Sequence, residues 1–95
     1  MKNLKSQAFK IAHEIKSQFA TWSAALKAAW QIAKLKFGIE TKIEFAKADG
    51  ELRTAIALNV GSLTSLKDGF VRFLELRTDG ITQWRSFRLE RLILN

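Results

Sequence analysis

The chain has 95 residues, of which 47% are hydrophobic and 26% are charged, and its net charge is +7. This composition is typical of a folded domain and not of a disordered segment. The absence of cysteine excludes disulfides, cysteine metal sites and cysteine nucleophiles. No stretch approaches the roughly 20 apolar residues of a membrane span. Because the first residues also lack a signal-peptide pattern, we expect a soluble, cytoplasmic protein.

The positive charge is concentrated in the first third of the chain. Residues 1–36 contain seven lysines and one acid, Glu14, whereas residues 37–95 contain nine basic and eight acidic residues. A one-sided positive field attracts polyanions or an acidic protein surface. The same lysines can also form a solvated face that keeps a small protein soluble.

Residues 1–38 are predicted to form an antiparallel helical hairpin. Apolar residues at helical spacing predict a first helix over 3–18; they are Leu4, Ala8, Ile11, Ile15 and Phe19. A second helix over 22–36 is capped by Thr21 or Ser23 and ends at Gly38. Its apolar stripe consists of Trp22, Ala25, Leu26, Ala29, Ile32 and Ala33.

After Gly38 the apolar period changes to two, which predicts strands. Asp49-Gly50 and Asp79-Gly80 favour two hairpins, because both residues of such a turn tolerate positive φ. With the short end LERLILN, residues 39–95 contain about five strands. We predict that they form a small closed SH3/Sm-like β-barrel, since closure removes exposed sheet edges. The predicted fold class is therefore α+β: a two-helix hairpin (1–38) and a five-stranded barrel (39–95) in one compact unit.

The segment WRSFRLERLI, residues 84–93, places three arginines among aromatic and aliphatic residues. It resembles the C-terminal element of WYL domains, with Glu90 at a position where those domains have aspartate. FAKADGELRTAIAL and GFVRFLEL resemble the WYL-like Sm/SH3-type barrel proteins of Bacteroidota phages and mobile elements. The resemblance covers about residues 41–94, although Phe70 to Phe73 replace the name-giving Trp-Tyr-Leu triplet.

This resemblance implies an Sm/SH3-type barrel in which Leu89–Arg91 forms a short helical turn between the last two strands. It also implies a sensor or regulatory module that binds nucleic acid or nucleotide-like ligands. The anion contacts that it implies are Arg85, Ser86, Arg88 and Arg91.

Catalytic residues are not evident in the sequence. His13 is the only histidine, and it points about 100° away from its neighbour Glu14 on a helix. With one histidine and no cysteine, a tetrahedral zinc site is not expected. The aspartates that precede glycine are typical of turns: Asp49, Asp68 and Asp79. We predict a non-enzymatic protein without a metal or a cofactor.

Cations interleaved with aromatic rings are typical of nucleic-acid-binding surfaces, where charge meets phosphate and rings stack on bases. On the first helix, Lys5, Phe9, His13 and Lys16 form a stripe opposite the apolar face. On the second helix, two lysines flank the apolar face near Trp30. We expect Phe9 and Trp30 to be half exposed. The predicted binding residues are Lys5, Phe9, Lys16, Lys27, Trp30, Lys34, Arg85, Arg88 and Arg91.

The residues of the predicted barrel also have structural interpretations. Arg85, Arg88 and Arg91 can pair with carboxylates across strands, where each pair adds only about 0.2–1 kcal/mol. The candidate carboxylates are Glu75, Glu90 and Glu44. Trp84 is predicted to lie in the core or to cover one end of the barrel.

Two functions are compatible with this sequence. The first is a phage or mobile-element accessory protein that binds RNA or a nucleic-acid–protein complex. RNA is favoured over duplex DNA because no known recognition helix is evident. The second is an anti-CRISPR-type inhibitor that binds a host nuclease effector through protein contacts. Homodimerisation through the alanine-rich second helix is a third possibility, and the sequence leaves the oligomeric state open.

Overall fold

The computed structural model describes residues 3–61 and 64–94. This part of the chain has two helices followed by four strands, and the α+β class is confirmed. The helices are α1 (Leu4–Ile15) and α2 (Trp22–Lys36). The strands are β1 (Thr41–Ala46), β2 (Leu52–Val60), β3 (Phe70–Leu76) and β4 (Thr82–Arg88). Short 3₁₀ turns follow α1 at Lys16–Gln18 and β4 at Leu89–Arg91.

Both helices begin at side-chain caps. The backbone N–H of Ser6 donates to Oδ1 of Asn3 at 2.7 Å, and that of Ala24 donates to Oγ1 of Thr21 at 3.1 Å. Such bonds satisfy backbone donors that have no partner within the helix. Gly38 follows α2 with a φ of +73°, a conformation that favours glycine at a helix end. The predicted helices are therefore confirmed, with Thr21 as the cap of α2.

The four strands form an antiparallel sheet in the order β1-β2-β3-β4. Both predicted Asp-Gly hairpins are present. The carboxylate of Asp49 accepts the N–H of Glu51 at 2.9 Å, and that of Asp79 accepts the N–H of Ile81 at 3.0 Å. The glycine that follows each aspartate has a positive φ. These local bonds explain why the hairpins were readable from the sequence.

The predicted five-stranded closed barrel is wrong, because the sheet of the described residues is open and has four strands. After the turn at Leu89–Arg91, the chain makes a single bridge, Phe45↔Leu92. The N–H of Ile93 also donates to the carbonyl of Glu44 at 2.8 Å. Leu89 and Leu92 are both buried. Their spacing of three suits a 3₁₀ turn, whereas a strand would place them on opposite faces.

The helices and the sheet share one hydrophobic core. α2 packs on β1 and β2, where Ala55 and Ala57 are buried against its alanine-rich side. Small side chains on both elements allow the helix to approach the sheet closely. The alanine face of α2 is thus buried within the chain. Its buried alanines are Ala25, Ala28, Ala29 and Ala33.

Three aromatic rings meet at the inner face of the sheet. Phe45 of β1 stacks on Phe87 of β4 with 5.4 Å between ring centroids, and Phe73 of β3 lies about equally close to both. Rings on the two edge strands can touch only if the sheet is strongly curved. This curvature brings β4 near the turn that follows β1. Neither of the described helices is long and apolar enough to cross a membrane.

Candidate nucleic-acid interface

A cleft of about 450 Å³ runs along the free edge of β4. All five residues from Trp84 to Arg88 line it. Because strand side chains alternate between two faces, only the edge of the strand can present all five to one cleft. Residues 45–48 of β1 and its turn also line it, together with Arg53 and Phe70. Its cations are Lys47, Arg53, Arg72, Arg85, Arg88 and Arg91, and its described lining residues include no carboxylate.

Glu75 lies behind this cleft on the inner face of β3 and is only 5% exposed. Nη2 of Arg53 donates to both oxygens of its carboxylate at 2.6 Å, and Nε of Arg85 donates to Oε1 at 3.3 Å. One carboxylate therefore orients two guanidinium groups from the neighbouring strands. Among the described residues, Nε and Nη1 of Arg53 and Nη1 of Arg85 have no hydrogen-bond partner. These N–H groups are available to an anion.

The other cations of the cleft are weakly paired or have no ion pair in the described part of the chain. Nε of Arg88 lies 3.2 Å from Glu90, and Nζ of Lys47 lies 3.4 Å from Glu51, in pairs exposed to solvent. Such pairs contribute little to stability and exchange readily. The predicted pair of Arg85 with Glu75 across strands is confirmed. Arg88 pairs with Glu90 two residues further along the chain and not across strands, and Arg91 forms no ion pair with Glu44 among the described residues. Six cations against three paired carboxylates leave an excess of three positive charges in this region.

Trp84 supplies a flat apolar surface beside these charges. It is 44% exposed, and the guanidinium carbon of Arg72 lies 5.7 Å from the centroid of its ring. The prediction that Trp84 lies in the core or covers one end of the barrel is wrong. Trp84 pairs in register with Leu74 of β3. That register places it on the outer face of the sheet, while Phe87 occupies the inner face.

Close packing on Gly61 fixes the ring of Trp84. A Cβ atom on Gly61 would lie 2.8 Å from Cζ3 of Trp84. The absence of a side chain at this position therefore allows the indole to lie against the backbone. A ring held in this way loses little further freedom when a ligand stacks on it.

The predicted residues of the helices lie outside the cleft. Lys5, Lys16, Lys27 and Lys34 are exposed, and Phe9 is 39% exposed, but none of them lines it. Trp30 is partly buried and packs against the core. Trp22 was assigned to the apolar stripe of the second helix, and its side chain is instead 41% exposed. The structure therefore divides the predicted residues between two surfaces.

Four residues of the cleft were not predicted from the sequence: Lys47, Arg53, Arg72 and Trp84. Arg53 lies in the same strand row as Ala55, and Glu75 lies in the same row as Phe73. The inward position of Arg53 was not readable from the sequence, because the alternate row of β2 is the more apolar one. That row is Leu52, Thr54, Ile56 and Leu58. The position of Lys47 was not predictable, because it depends on the curvature of the sheet. Arg72 pairs in register with Ser86, so its place beside β4 follows from the β3–β4 hairpin.

The described residues offer no obvious metal site. No group of three or more histidine, aspartate or glutamate side chains among them is placed to hold a metal ion. The donors of the cleft are guanidinium and ammonium groups, which suit phosphate or carboxylate ligands.

Comparisons with protein-family models, with curated proteins and with solved structures found no match for this chain. The functional interpretation therefore depends on the chemistry of the cleft.

Proposed function

We propose that this is a non-enzymatic accessory protein that binds single-stranded RNA, free or within an RNA–protein complex, along the cleft of β4. The observation that carries the proposal is the convergence of six cations and Trp84 on one groove. Arginine provides planar pairs of donors that match the oxygens of a phosphate. A chain of phosphates can therefore follow the edge of β4.

A single strand fits this cleft better than a duplex. The indole of Trp84 can stack only on a base that is not already stacked within a helix. Duplex recognition in the major groove typically uses a helix or a two-stranded ribbon that presents side chains to base edges. Here the cations and the ring lie along a strand edge, which suits a flexible backbone with unpaired bases.

The resemblance to WYL-like proteins supports the same function. Arg85, Ser86, Arg88 and Arg91 are the anion contacts that it implies, and all four line the cleft. The resemblance also supports an origin in a phage or mobile element.

Fluorescence anisotropy with a labelled oligouridylate of about 12 nucleotides tests this proposal. The protein is titrated at about 50 and about 200 mM salt, beside deoxythymidylate of the same length and duplex DNA. The test variant is Arg72→Ala/Arg91→Ala, because neither side chain has an ion pair in the described residues. The matched control is Arg77→Ala, since Arg77 is exposed and does not line the cleft.

We expect the RNA to bind with a dissociation constant that rises steeply with salt, by about 0.7 log units per log unit for each phosphate contact. The double variant binds more weakly and with a shallower salt slope, and Arg77→Ala binds like the wild type. Absence of RNA binding at low salt, or equal weakening by Arg77→Ala, contradicts the proposal.

A second candidate is the nuclease inhibitor, which one observation favours. Leu52 is 71% exposed and Ile81 is 59% exposed, at the end of the sheet where both Asp-Gly turns lie. Exposed aliphatic side chains can anchor a protein interface. The test is gel filtration with a purified CRISPR effector complex, in which co-elution at high salt that Leu52→Asp/Ile81→Asp abolishes supports this function. Co-elution that salt abolishes favours the RNA proposal.

A further inference from the structure

A second aromatic cluster lies on the helical hairpin, away from the cleft. The ring of Trp22 lies 6.5 Å from that of Phe9 in a stacked arrangement and 4.9 Å from the imidazole of His13. Phe9 and His13 are separated by one turn of α1, and Trp22 is the first residue of α2. We refer to Phe9, His13 and Trp22 as the helical platform.

The helical platform is exposed although the core is complete without it. About two fifths of Phe9 and of Trp22 remain accessible to solvent, and His13 is exposed. The contact between Phe9 and Trp22 joins the two helices, but the buried side chains of α1 and α2 already do so. Large aromatic residues left at the surface in a cluster are typical of binding sites.

The charge around the helical platform indicates an anionic partner. Lys5, Phe9, His13 and Lys16 follow one row of α1 and its 3₁₀ turn, and both lysines are exposed. Residues 1–36 contain seven lysines and a single acid. Rings beside cations are the combination that a single-stranded nucleic acid requires, since bases stack while phosphates meet charge.

One loop connects the helical platform to the cleft. Nε2 of Gln18, in the turn between the helices, donates to the carbonyl of Leu66 at 2.6 Å. Two residues further along this loop, the carbonyl of Asp68 accepts Nη2 of Arg88 at 3.5 Å. The turn that precedes Trp22 and a cation of the cleft therefore contact the same short loop.

We infer that the helical platform is a second base-stacking site, and that the ligand is an RNA strand long enough to reach it from the cleft. This inference deepens the proposed function and depends on it for the identity of the ligand. Bases at one end of the strand stack on Trp84, and bases beyond the loop stack on Trp22. A mononucleotide or a very short RNA occupies only the cleft.

Tryptophan fluorescence provides a direct test. The chain has three tryptophans, so Trp30→Phe/Trp84→Phe leaves Trp22 as the only indole. Unlabelled oligouridylate of about 12 nucleotides is titrated into this variant, and anisotropy with the labelled RNA measures binding in parallel. We expect the emission of Trp22 to be quenched over the same concentration range in which the RNA binds. RNA binding without quenching of Trp22 overturns the inference and leaves the proposed binding at the cleft unaffected.

A second measurement avoids the double substitution. Trp22→Leu keeps an apolar contact between the helices and removes the aromatic face. We expect it to weaken binding of the long RNA at least about fivefold and to leave binding of an RNA of about four nucleotides unchanged. The matched control is Phe37→Leu, because Phe37 is an exposed aromatic at the other end of α2.

The outcomes separate the inference from the proposed function. If Trp22→Leu weakens the binding of long and short RNA equally, or if Phe37→Leu also weakens binding, the inference that the helical platform binds RNA is overturned. Arg72→Ala/Arg91→Ala is also introduced into the Trp30→Phe/Trp84→Phe variant, and quenching of Trp22 with unchanged RNA affinity there supports the platform and overturns the proposed role of the cleft. Absence of RNA binding by the wild type overturns both.

Discussion

Arg53 and Glu75 lie on neighbouring strands, and a single guanidinium nitrogen donates to both carboxylate oxygens at 2.6 Å. Arg85 approaches the same carboxylate from the other side, which creates an Arg–Glu–Arg arrangement across three strands. The carboxylate is buried, whereas both arginines reach the cleft. Glu75 therefore links the stability of the sheet to the geometry of the proposed binding surface.

Replacement of Glu75 by glutamine is expected to reduce the free energy of unfolding by about 2 kcal/mol. Removal of one partner of a buried pair leaves the other charge uncompensated, although the partial exposure of both arginines moderates the loss. Urea denaturation measures the change. Glu90→Gln is the control, because its pair with Arg88 is exposed and contributes less than about 1 kcal/mol. A similar loss in both variants would show that burial of the carboxylate is unimportant.

Trp84→Leu and Arg91→Ala are expected to weaken RNA binding in different ways. Loss of the indole removes stacking, which weakens binding about fivefold or more and leaves the salt slope unchanged. Loss of Arg91 removes a charge, which makes the slope shallower by about 0.7. Anisotropy titrations at several salt concentrations distinguish the two effects. If Trp84→Leu changes the slope as much as Arg91→Ala does, Trp84 does not act by stacking.

Gly61→Ala is expected to destabilise the protein by about 1–3 kcal/mol, because the new Cβ overlaps the indole of Trp84. The indole must move, so its emission maximum should shift as well. Thermal unfolding and tryptophan fluorescence measure both effects. The same substitution in a Trp84→Leu background should have a much smaller effect on stability. If Gly61→Ala lowers stability equally in the two backgrounds, the effect comes from the backbone of Gly61 and not from the contact with Trp84.

Ala57→Leu is expected to cost about 3 kcal/mol or to prevent folding. Ala57 is fully buried on β2, on the face that packs against α2, and a larger side chain separates the helix from the sheet. Circular dichroism during urea denaturation detects the loss. Ala20→Leu, at an exposed position between the helices, serves as the control and should leave stability nearly unchanged.

Thr21→Ala is expected to destabilise the protein by about 1 kcal/mol, since it removes the hydroxyl that accepts the N–H of Ala24. Ser23→Ala should have little effect, because Ser23 lies within α2 and does not cap it. Chemical denaturation of both variants compares them. A larger loss for Ser23→Ala would contradict the assigned cap.

Features with local signals were predictable from the sequence. The caps, the Asp-Gly turns and the change of period at Gly38 depend on residues a few positions apart, and they yielded both helices and all four strands. The turn at Leu89–Arg91 is present as the resemblance implies, but the expected fifth strand is wrong, because the described residues after this turn make only the bridge between Phe45 and Leu92. The closed barrel depended on that strand.

Features that depend on how elements meet were less predictable. Arg85, Arg88 and Arg91 were recognised together because they are close in sequence. Arg72 joins them because it pairs in register with Ser86 of the neighbouring strand, whereas Lys47 joins them only because the curved sheet brings the turn after β1 near β4. Trp22 belongs to the apolar stripe of α2 by spacing, but it stands at the first turn and stays exposed. The spacing of apolar residues shows on which side of a helix a residue lies. It does not show how far along the helix the packed surface extends.

The bridge between Phe45 and Leu92 has a consequence for the order of folding. Each strand of the sheet pairs with its neighbour in sequence, and the helices pack on each other, so these elements can form progressively as the chain leaves the ribosome. The bridge instead joins residues 47 positions apart and forms only after Leu92 has been synthesised. Until then, Phe45 lacks its bridge to Leu92, a buried residue of the same core. Nascent chains stopped before this residue should therefore be more sensitive to proteolysis than chains that include it.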